Sequence, residues 1–201
     1  GTGLAFAHKY NKDNGVNFCY FGDGAANQGQ VYEAFNMAAL WNLPVIYIIE
    51  NNKYGMGTSV ERASASTDLH RRGAAYDIPG RIVDGMDVTA VYQAGQEAVA
   101  HVRGGKGPMI LEMKTYRYRG HSMSDPAKYR SKEELARMRA EHDPIDRLRQ
   151  KLIDQNVLAE AAIKDIDKGI KDEVTAAAEY AQQSPEPNPA ELYTAVLRDI
   201  A

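Results

Sequence analysis

The sequence predicts an α/β fold in which a parallel sheet is flanked by helices. Three segments, residues 16–21, 45–49 and 109–113, are nearly continuous runs of β-branched, aliphatic and aromatic residues. Such runs are typical of strands that are buried on both faces of a parallel sheet. Helical patterns lie between them, and alternating strands and helices indicate the α/β class.

The elements of the first half follow one another in regular order. We expect the first strand to be stopped by Gly22-Asp23-Gly24 and the second to be broken by Glu50-Asn51-Asn52. Asn27 is expected to cap the helix between these strands, because apolar residues recur at helical spacing after it. The predicted elements are a helix over residues 4–10, a strand over 16–21, a helix over 28–41 and a strand over 45–49.

The second half falls into two parts. Another round of strand, helix and strand completes the sheet, and after Ser131 the pattern changes to charged, alanine-rich helices. We therefore predict an α/β domain over residues 1–130 and a helical extension over residues 131–201 that packs on the same domain. The predicted elements are a strand over 81–83, a helix over 88–102, a strand over 109–113, helices over 132–141, 144–155 and 160–182, and a proline-rich stretch over 184–189.

Composition argues against two classes of partner. The chain has 201 residues, 44% of them apolar and 25% charged, and a formal net charge of −3. It has no broad basic field of the kind that captures nucleic acid, and no segment approaches the apolar length needed to span a bilayer. The single cysteine, Cys19, excludes an internal disulfide and fits a reducing compartment. We therefore expect neither nucleic acid nor a membrane as a partner.

The polar motifs at the ends of the first two strands predict a binding site. Ligands of open parallel sheets bind beyond the carboxyl ends of the strands, so the two motifs are expected to meet in one crevice. The Asp23 carboxylate and the Asn52 amide oxygen are hard donors of the kind that magnesium binds. Gly24 and Ala25 would let backbone N–H groups approach a phosphate at a helix start. Either motif alone is more often a plain turn or strand end, but together they predict a magnesium diphosphate site.

A second polar cluster, the basic loop over residues 115–126, directly follows the last predicted strand and is expected to reach the same crevice. Arg117 and His121 can donate hydrogen bonds to phosphate oxygens, and His121 is the catalytic candidate because an imidazole moves protons near neutral pH. Taken alone, the loop is also typical of a solvated surface segment. A P-loop over residues 22–30 is excluded, because that stretch has no Lys or Arg and no Gly-Lys-Ser/Thr follows it.

Residues 22–30, 38–44 and 50–58 resemble the alpha subunits of pyruvate dehydrogenases, and the resemblance continues to the end of the chain. It implies the thiamine diphosphate-binding fold, with thiamine diphosphate and magnesium as cofactors. It also implies the roles of individual residues. In these roles Asp23, Asn52 and the backbone carbonyl of Tyr54 hold magnesium, Gly24 and Ala25 contact the diphosphate, and His121 lies at the diphosphate.

The resemblance implies an activity and partners as well. The activity is oxidative decarboxylation of pyruvate with transfer of the acetyl group to a lipoyl group. The partners are a pyruvate dehydrogenase beta subunit, in an α2β2 heterotetramer, and the lipoyl domain of a dihydrolipoyl acetyltransferase. The stretch over residues 125–130 looks more like bacterial members, which implies the bacterial cytoplasm, or the mitochondrial matrix if the source is eukaryotic. Ser122 and Ser59 match possible regulatory phosphorylation sites.

Two alternatives remain open at this stage. The alpha subunits of branched-chain 2-oxo acid and acetoin dehydrogenases share the cofactor motifs, and pyruvate is preferred over their substrates on resemblance alone. The chain also lacks the amino-terminal portion of the subunits that it resembles, and its first residues are typical of the middle of a protein. A non-catalytic fragment that serves only as a structural or interaction domain is therefore the second alternative.

Overall fold

The computed structural model describes residues 1–194, and the chain divides into two compact units. The first unit spans Gly1–Leu148 and the second begins at Arg149. The helices and strands, in chain order, are α1 (Thr2–Asn11), β1 (Asn17–Gly22), α2 (Gly29–Leu40), β2 (Val45–Asn51), β3 (Tyr54–Gly55), β4 (Thr58–Ser59), α3 (Val60–Ala63), β5 (Gly80–Asp84), α4 (Val88–Arg103), β6 (Met109–Lys114), α5 (Lys132–His142), α6 (Pro144–Asp154) and α7 (Glu160–Gln183). Short 3-10 helices cover Ala25–Asn27, Leu69–Tyr76 and Pro189–Tyr193.

Four parallel strands form the central sheet in the order β1-β2-β6-β5. Strand β2 pairs with both β1 and β6, and β6 also pairs with β5. Parallel neighbours require crossover connections, which α2 provides between β1 and β2 and α4 provides between β5 and β6. The predicted α/β class, a parallel sheet flanked by helices, is confirmed.

Helices cover both faces of this sheet. On one face Tyr47 and Ile49 of β2 pack in a core with Phe35 of α2. On the other face Ile48 of the same strand packs in a core with Ala94 of α4. Because successive side chains of β2 enter opposite cores, every residue from 45 to 49 is buried, and the strand reads as one continuous apolar run.

Two predicted boundaries are wrong. Asn27 does not cap α2, because it ends a short 3-10 helix; Gln28 is the N-cap residue and makes no side-chain capping bond. The second strand does not break at Glu50 but continues through Asn51, because both residues pair with the end of β6. Asn52 is therefore the first residue beyond the sheet.

The sequence prediction missed the structure between β2 and β5. The hairpin β3–β4, helix α3 and the 3-10 helix Leu69–Tyr76 fill this stretch. Each is short and polar, so neither helical nor strand periodicity reveals it. The 3-10 helix lies directly against β6, since a Cβ atom at Gly73 would come within 2.6 Å of the Ile110 side chain.

The helices predicted for the carboxyl-terminal part are confirmed, with ends that differ by one residue at most. Residues 195–201 of the predicted extension lie outside the described part of the chain. The predicted domain boundary after residue 130 and the predicted packing of the extension stay predictions. Within residues 1–194, no helix is both long and apolar enough to cross a membrane.

Replacing Phe35 with alanine is expected to lower the free energy of unfolding by about 3–5 kcal/mol. The ring is 1% exposed and packs against Tyr47 with its centroid 4.7 Å away. Leu40→Ala on the same helix is the matched control, because Leu40 is 72% exposed and its loss is expected to cost no more than about 0.5 kcal/mol. Urea denaturation measures both changes, and equal losses would contradict the assignment of the buried face of α2.

Candidate cofactor and metal site

The loops that follow β1 and β2 meet at the carboxyl edge of the sheet, as predicted. A Cβ atom at Gly55 would lie 3.3 Å from the Cα atom of Gly24 and 3.8 Å from the Asp23 carboxylate. The two glycines therefore allow a backbone approach that larger residues would obstruct. Beside them is a cleft of about 130 Å³ that is lined by Asp23, Gly24, Asn27, Gly55, Thr58, Ser59, Val60, Ala63 and Ser64.

Asp23 supplies a buried carboxylate at this cleft. It is 4% exposed, and burial raises the pKa of its carboxyl group, although its own N–H, the N–H of Asn52 and the Arg117 guanidinium partly oppose that rise. A carboxylate that is disfavoured in its ionised form gains from a bound cation. Asp23 thus fits the predicted role of a metal ligand.

Asn52 and Tyr54 lie on one tight turn next to Asp23. The Asn52 side-chain oxygen accepts a hydrogen bond from the Tyr54 N–H at 3.3 Å. Lys53 between them has a φ of 75°. Residues other than glycine rarely adopt this left-handed backbone conformation, so the surrounding structure must stabilise it. The Tyr54 carbonyl oxygen accepts a long bond of 3.4 Å from Arg117. The three predicted metal ligands are therefore on adjoining segments, and two of them share one turn.

Gly24 and Ala25 differ from their predicted setting. Gly24 caps the three-residue 3-10 helix Ala25–Asn27, and α2 begins only at Gly29. The predicted α-helix start is thus displaced from the two residues that were expected to contact a phosphate. Arg72 fixes this turn from outside, because its guanidinium donates to the Ala26 carbonyl and, at 3.1 Å, to the Ser64 hydroxyl.

A buried carboxylate that the sequence analysis missed holds the end of β2 in place. Glu112 of β6 is 0% exposed. Its Oε1 accepts hydrogen bonds from Asn51 Nδ2 at 2.7 Å and from Lys114 Nζ at 2.6 Å. Its Oε2 accepts from the backbone N–H of His70 at 2.9 Å and lies 3.1 Å from the His70 ring nitrogen Nδ1. Burial alone raises the pKa of this carboxyl group, but the hydrogen bonds from Lys114, Asn51 and His70 outweigh it, so the pKa is lowered.

Arg117 reaches the turn, but its contacts are with the protein. Its Nη2 donates to the Met56 carbonyl at 2.6 Å and to the Tyr129 hydroxyl at 3.1 Å, and its Nη1 reaches the Tyr54 carbonyl. The buried Nε atom has no hydrogen-bond partner within residues 1–194. Arg117 thus fastens the basic loop to the hairpin, and its predicted bond to a phosphate stays a prediction.

His121 is exposed and is joined to the turn through Arg117, whose Nη1 lies 3.3 Å from the His121 ring nitrogen Nδ1. Asp125 orders this part of the loop by accepting hydrogen bonds from the His121 N–H at 2.7 Å and the Tyr129 hydroxyl at 2.8 Å. The N–H groups of His121 and Ala127 and the Tyr129 hydroxyl lower the pKa of Asp125 to about 2. Asp125 is therefore ionised at neutral pH and keeps the loop closed on itself.

The two serines that were considered as regulatory sites occupy different positions. Ser59 lines the cleft and caps α3, where its hydroxyl accepts a hydrogen bond from the Arg62 N–H at 3.3 Å. Ser122 is exposed and its hydroxyl lies 3.0 Å from that of Ser124. Modification of either serine stays a prediction.

The structure brings together Asp23, Gly24, Asn52 and Tyr54, with Arg117 against them and His121 one contact further out. Within residues 1–194 there is no group of three or more His, Cys, Asp or Glu side chains that could hold a metal ion. The candidate set of one carboxylate, one amide and one carbonyl is of another kind, and it suits a hard cation whose remaining ligands are water and phosphate.

Known proteins are similar to this chain over nearly its whole length. The chain is 64% identical over 197 residues to the pyruvate dehydrogenase E1 component subunit alpha of Rhizobium meliloti. This match covers 98% of the chain and 57% of the relative. It is 58% identical over 197 residues to the protein of that name in Zymomonas mobilis, over 98% of the chain and 55% of the relative. It is 52% identical over 193 residues to the mitochondrial one of Sminthopsis macroura, over 96% of the chain and 53% of the relative.

The chain thus spans a little over half the length of these relatives. The family model described as dehydrogenase E1 component matches residues 1–190, which include both loops of the site, the hairpin and the basic loop. On this match the chain belongs to the dehydrogenase E1 component family.

Proposed function

We propose that this chain is the cofactor-binding part of a pyruvate dehydrogenase alpha subunit, which binds thiamine diphosphate and magnesium at the carboxyl edge of the sheet. The activity is oxidative decarboxylation of pyruvate and reductive acetylation of a lipoyl group. The observation that carries the proposal is the meeting of two loops, one with the buried carboxylate of Asp23 and one with Asn52 and Tyr54. They meet at two glycines so close that a Cβ atom on Gly55 would lie 3.3 Å from the Cα atom of Gly24.

In this proposal the chain contributes binding and orientation. Bound thiamine diphosphate supplies the electron sink for decarboxylation of a 2-oxo acid. Asp23, Asn52 and the Tyr54 carbonyl hold magnesium, and Gly24 and Ala25 leave room for the diphosphate. Their positions support these roles, because a buried carboxylate of raised pKa lies beside a turn that carries two further oxygen atoms able to bind a metal ion.

The basic loop supplies the remaining groups in this proposal. Arg117 keeps a positive charge near Asp23, and it holds His121 at the mouth of the site. The exposed imidazole of His121 can donate to a phosphate oxygen or move a proton near neutral pH. Arg117 reaches the phosphate only if its guanidinium exchanges one of its present carbonyl contacts for a phosphate oxygen.

The substrate and the partners rest on the relatives and on the resemblance. Relatives that carry the name pyruvate dehydrogenase E1 component subunit alpha support pyruvate over branched-chain 2-oxo acids and acetoin. We propose a beta subunit as partner in an α2β2 heterotetramer, and a lipoyl domain of a dihydrolipoyl acetyltransferase as acceptor. We also propose a bacterial cytoplasmic location, because the relatives at 64% and 58% identity are bacterial.

Asp23→Ala is expected to weaken magnesium-dependent binding of thiamine diphosphate by more than about 100-fold, because even changes behind a metal ligand cost about 10–100-fold. Titration calorimetry on the chain with a beta subunit measures the affinity. Asp13→Ala is the matched control, since it removes an aspartate in the turn that precedes β1, at the opposite end of that strand. Equal binding by Asp23→Ala and wild type would contradict the metal assignment.

The same preparation tests the activity and the alternatives. Wild-type chain with a beta subunit is expected to release carbon dioxide from pyruvate faster than from a branched-chain 2-oxo acid, and to give no product from acetoin. A reversed preference would move the assignment to a sister enzyme. Absence of cofactor binding, even with the beta subunit, would leave a non-catalytic fragment as the better description.

Gly55→Ala is expected to lower the affinity for thiamine diphosphate about tenfold or more. Its Cβ would lie 3.3 Å from Gly24 Cα, so the backbone that is proposed to face the diphosphate must shift. Gly22→Ala is the matched control on the same edge, because a Cβ there meets no atom within 4 Å. Calorimetry on both variants, with urea denaturation to compare their stability, checks the prediction. Unchanged affinity in Gly55→Ala would show that the close approach is not needed for binding.

As the pH is lowered, magnesium affinity is expected to begin to fall at a higher pH than it would if the metal ligand were an aspartate with an ordinary pKa. Only the ionised carboxylate binds the cation, and burial places the pKa of Asp23 above the usual aspartate value, so protons compete with magnesium as the pH falls towards that raised pKa. The measurement is magnesium affinity with saturating thiamine diphosphate, from about pH 8 to about pH 5. Asp23→Asn does not titrate and should show a weaker but flat profile. Parallel profiles in both proteins would assign the titration to another group.

A further inference from the structure

We propose that Glu112 is a positioning residue for the metal site. Through Asn51 it holds the turn that carries Asn52 and Tyr54, two of the three residues assigned to magnesium. This inference rests on the proposed function, because it concerns how the chain presents its ligands to the cation. Glu112 itself lies behind the turn, on the neighbouring strand β6.

The first link in the argument is the orientation of the Asn51 amide. Asn51 is 3% exposed, and its Nδ2 donates to Glu112 Oε1 at 2.7 Å. An amide has its two donors on the nitrogen and its acceptor on the oxygen, so committing Nδ2 to the carboxylate turns Oδ1 the other way. Oδ1 then accepts the Lys53 N–H at 3.1 Å. Glu112 thereby fixes which atom of Asn51 faces the turn.

The second link is the conformation of the turn. Lys53 has a φ of 75°, and the bond from its N–H to Asn51 is one of the side-chain bonds that hold the turn. Another joins the Tyr54 N–H to the Asn52 side-chain oxygen at 3.3 Å. A left-handed residue persists only where surrounding bonds over-determine it. The Asn51 amide therefore helps to set the direction of the Asn52 side chain and of the Tyr54 carbonyl, which Arg117 also contacts.

The third link is the cost of placing a carboxylate at this position. Glu112 pairs in register with Ile49 on one side and Ile82 on the other, and it is 0% exposed. Replacing a buried, paired charge with a well-packed apolar residue is often neutral or stabilising, so stability alone does not account for the carboxylate. Its two oxygens instead join the turn, through Asn51, to the 3-10 helix that begins at Leu69, through His70.

Glu112→Met keeps the length of the side chain but removes the charge and both acceptors. It therefore leaves Asn51 Nδ2 and the His70 N–H without their carboxylate partner. We expect magnesium affinity, measured with saturating thiamine diphosphate and a beta subunit, to fall about 10–100-fold. Raising the magnesium concentration should restore cofactor binding, because the ligands themselves are intact.

A readout without cofactor or metal separates positioning from general weakening. Hydrogen exchange of the Lys53 and Tyr54 amides is expected to speed up in Glu112→Met, while the amides of β1 keep wild-type rates. His70→Phe is the matched control. It removes the contact of the His70 ring with Glu112 but leaves the bonds from Asn51, Lys114 and the His70 backbone N–H. It should lower stability while leaving magnesium affinity within about twofold of wild type.

Asn51→Ala is a second test if Glu112→Met does not fold, because it removes the same bond from the Asn51 side. It is expected to reproduce the loss of magnesium affinity, and the double variant should lose little more than either single variant because the two residues act in series. Wild-type magnesium affinity and exchange rates in these variants would overturn the inference and leave the proposed function standing. Failure of the wild type itself to bind magnesium with thiamine diphosphate would overturn the proposed function, and with it the role of Glu112 towards a metal.

Discussion

The bond between the buried carboxylate of Glu112 and the amide of Asn51 is the contact on which the candidate site depends. It fastens the last residue of β2 to its neighbour β6, at the point where the chain leaves the sheet. The same carboxylate accepts the His70 N–H, so the segment that returns from the hairpin is attached to the same group. Because three separate segments meet at one buried charge, none can move without leaving a charge or an amide unpaired.

The sheet explains why the site forms at this edge. Strand β2 is covered on both faces, by α2 on one side and α4 on the other, so its side chains are committed to two cores. The loop beyond Asn51 is free of both cores, and the parallel strand β1 ends beside it at Gly22. Asp23 and Asn52 are therefore brought together by the register of the two strands, before any contact between their side chains is considered.

Sequence reasoning succeeded where a local pattern carries the signal. The strands were predictable because burial on both faces leaves continuous apolar runs, and the place of Asp23 and Asn52 beyond the strand ends was predictable because polar residues end such runs. Glu112 was not, because one glutamate in an apolar strand has no pattern, and its partners Asn51 and His70 are distant in the chain. The hairpin at Tyr54 escaped for another reason, since two-residue strands are too short to show periodicity.

The basic loop adds a constraint that acts on the Tyr54 carbonyl. Arg117 donates to this oxygen at 3.4 Å, a length that marks a weak bond, and a carbonyl has a second lone pair to offer a cation. Two positive groups at one oxygen repel, but Arg117 is held more firmly at the Met56 carbonyl, at 2.6 Å, and at the Tyr129 hydroxyl, at 3.1 Å. Because Nη2 makes these stronger contacts and Nη1 makes the weak one, a cation can bind the carbonyl while Arg117 keeps the loop in place. The loop can therefore stay closed over the hairpin whether or not a cation is bound to the Tyr54 carbonyl.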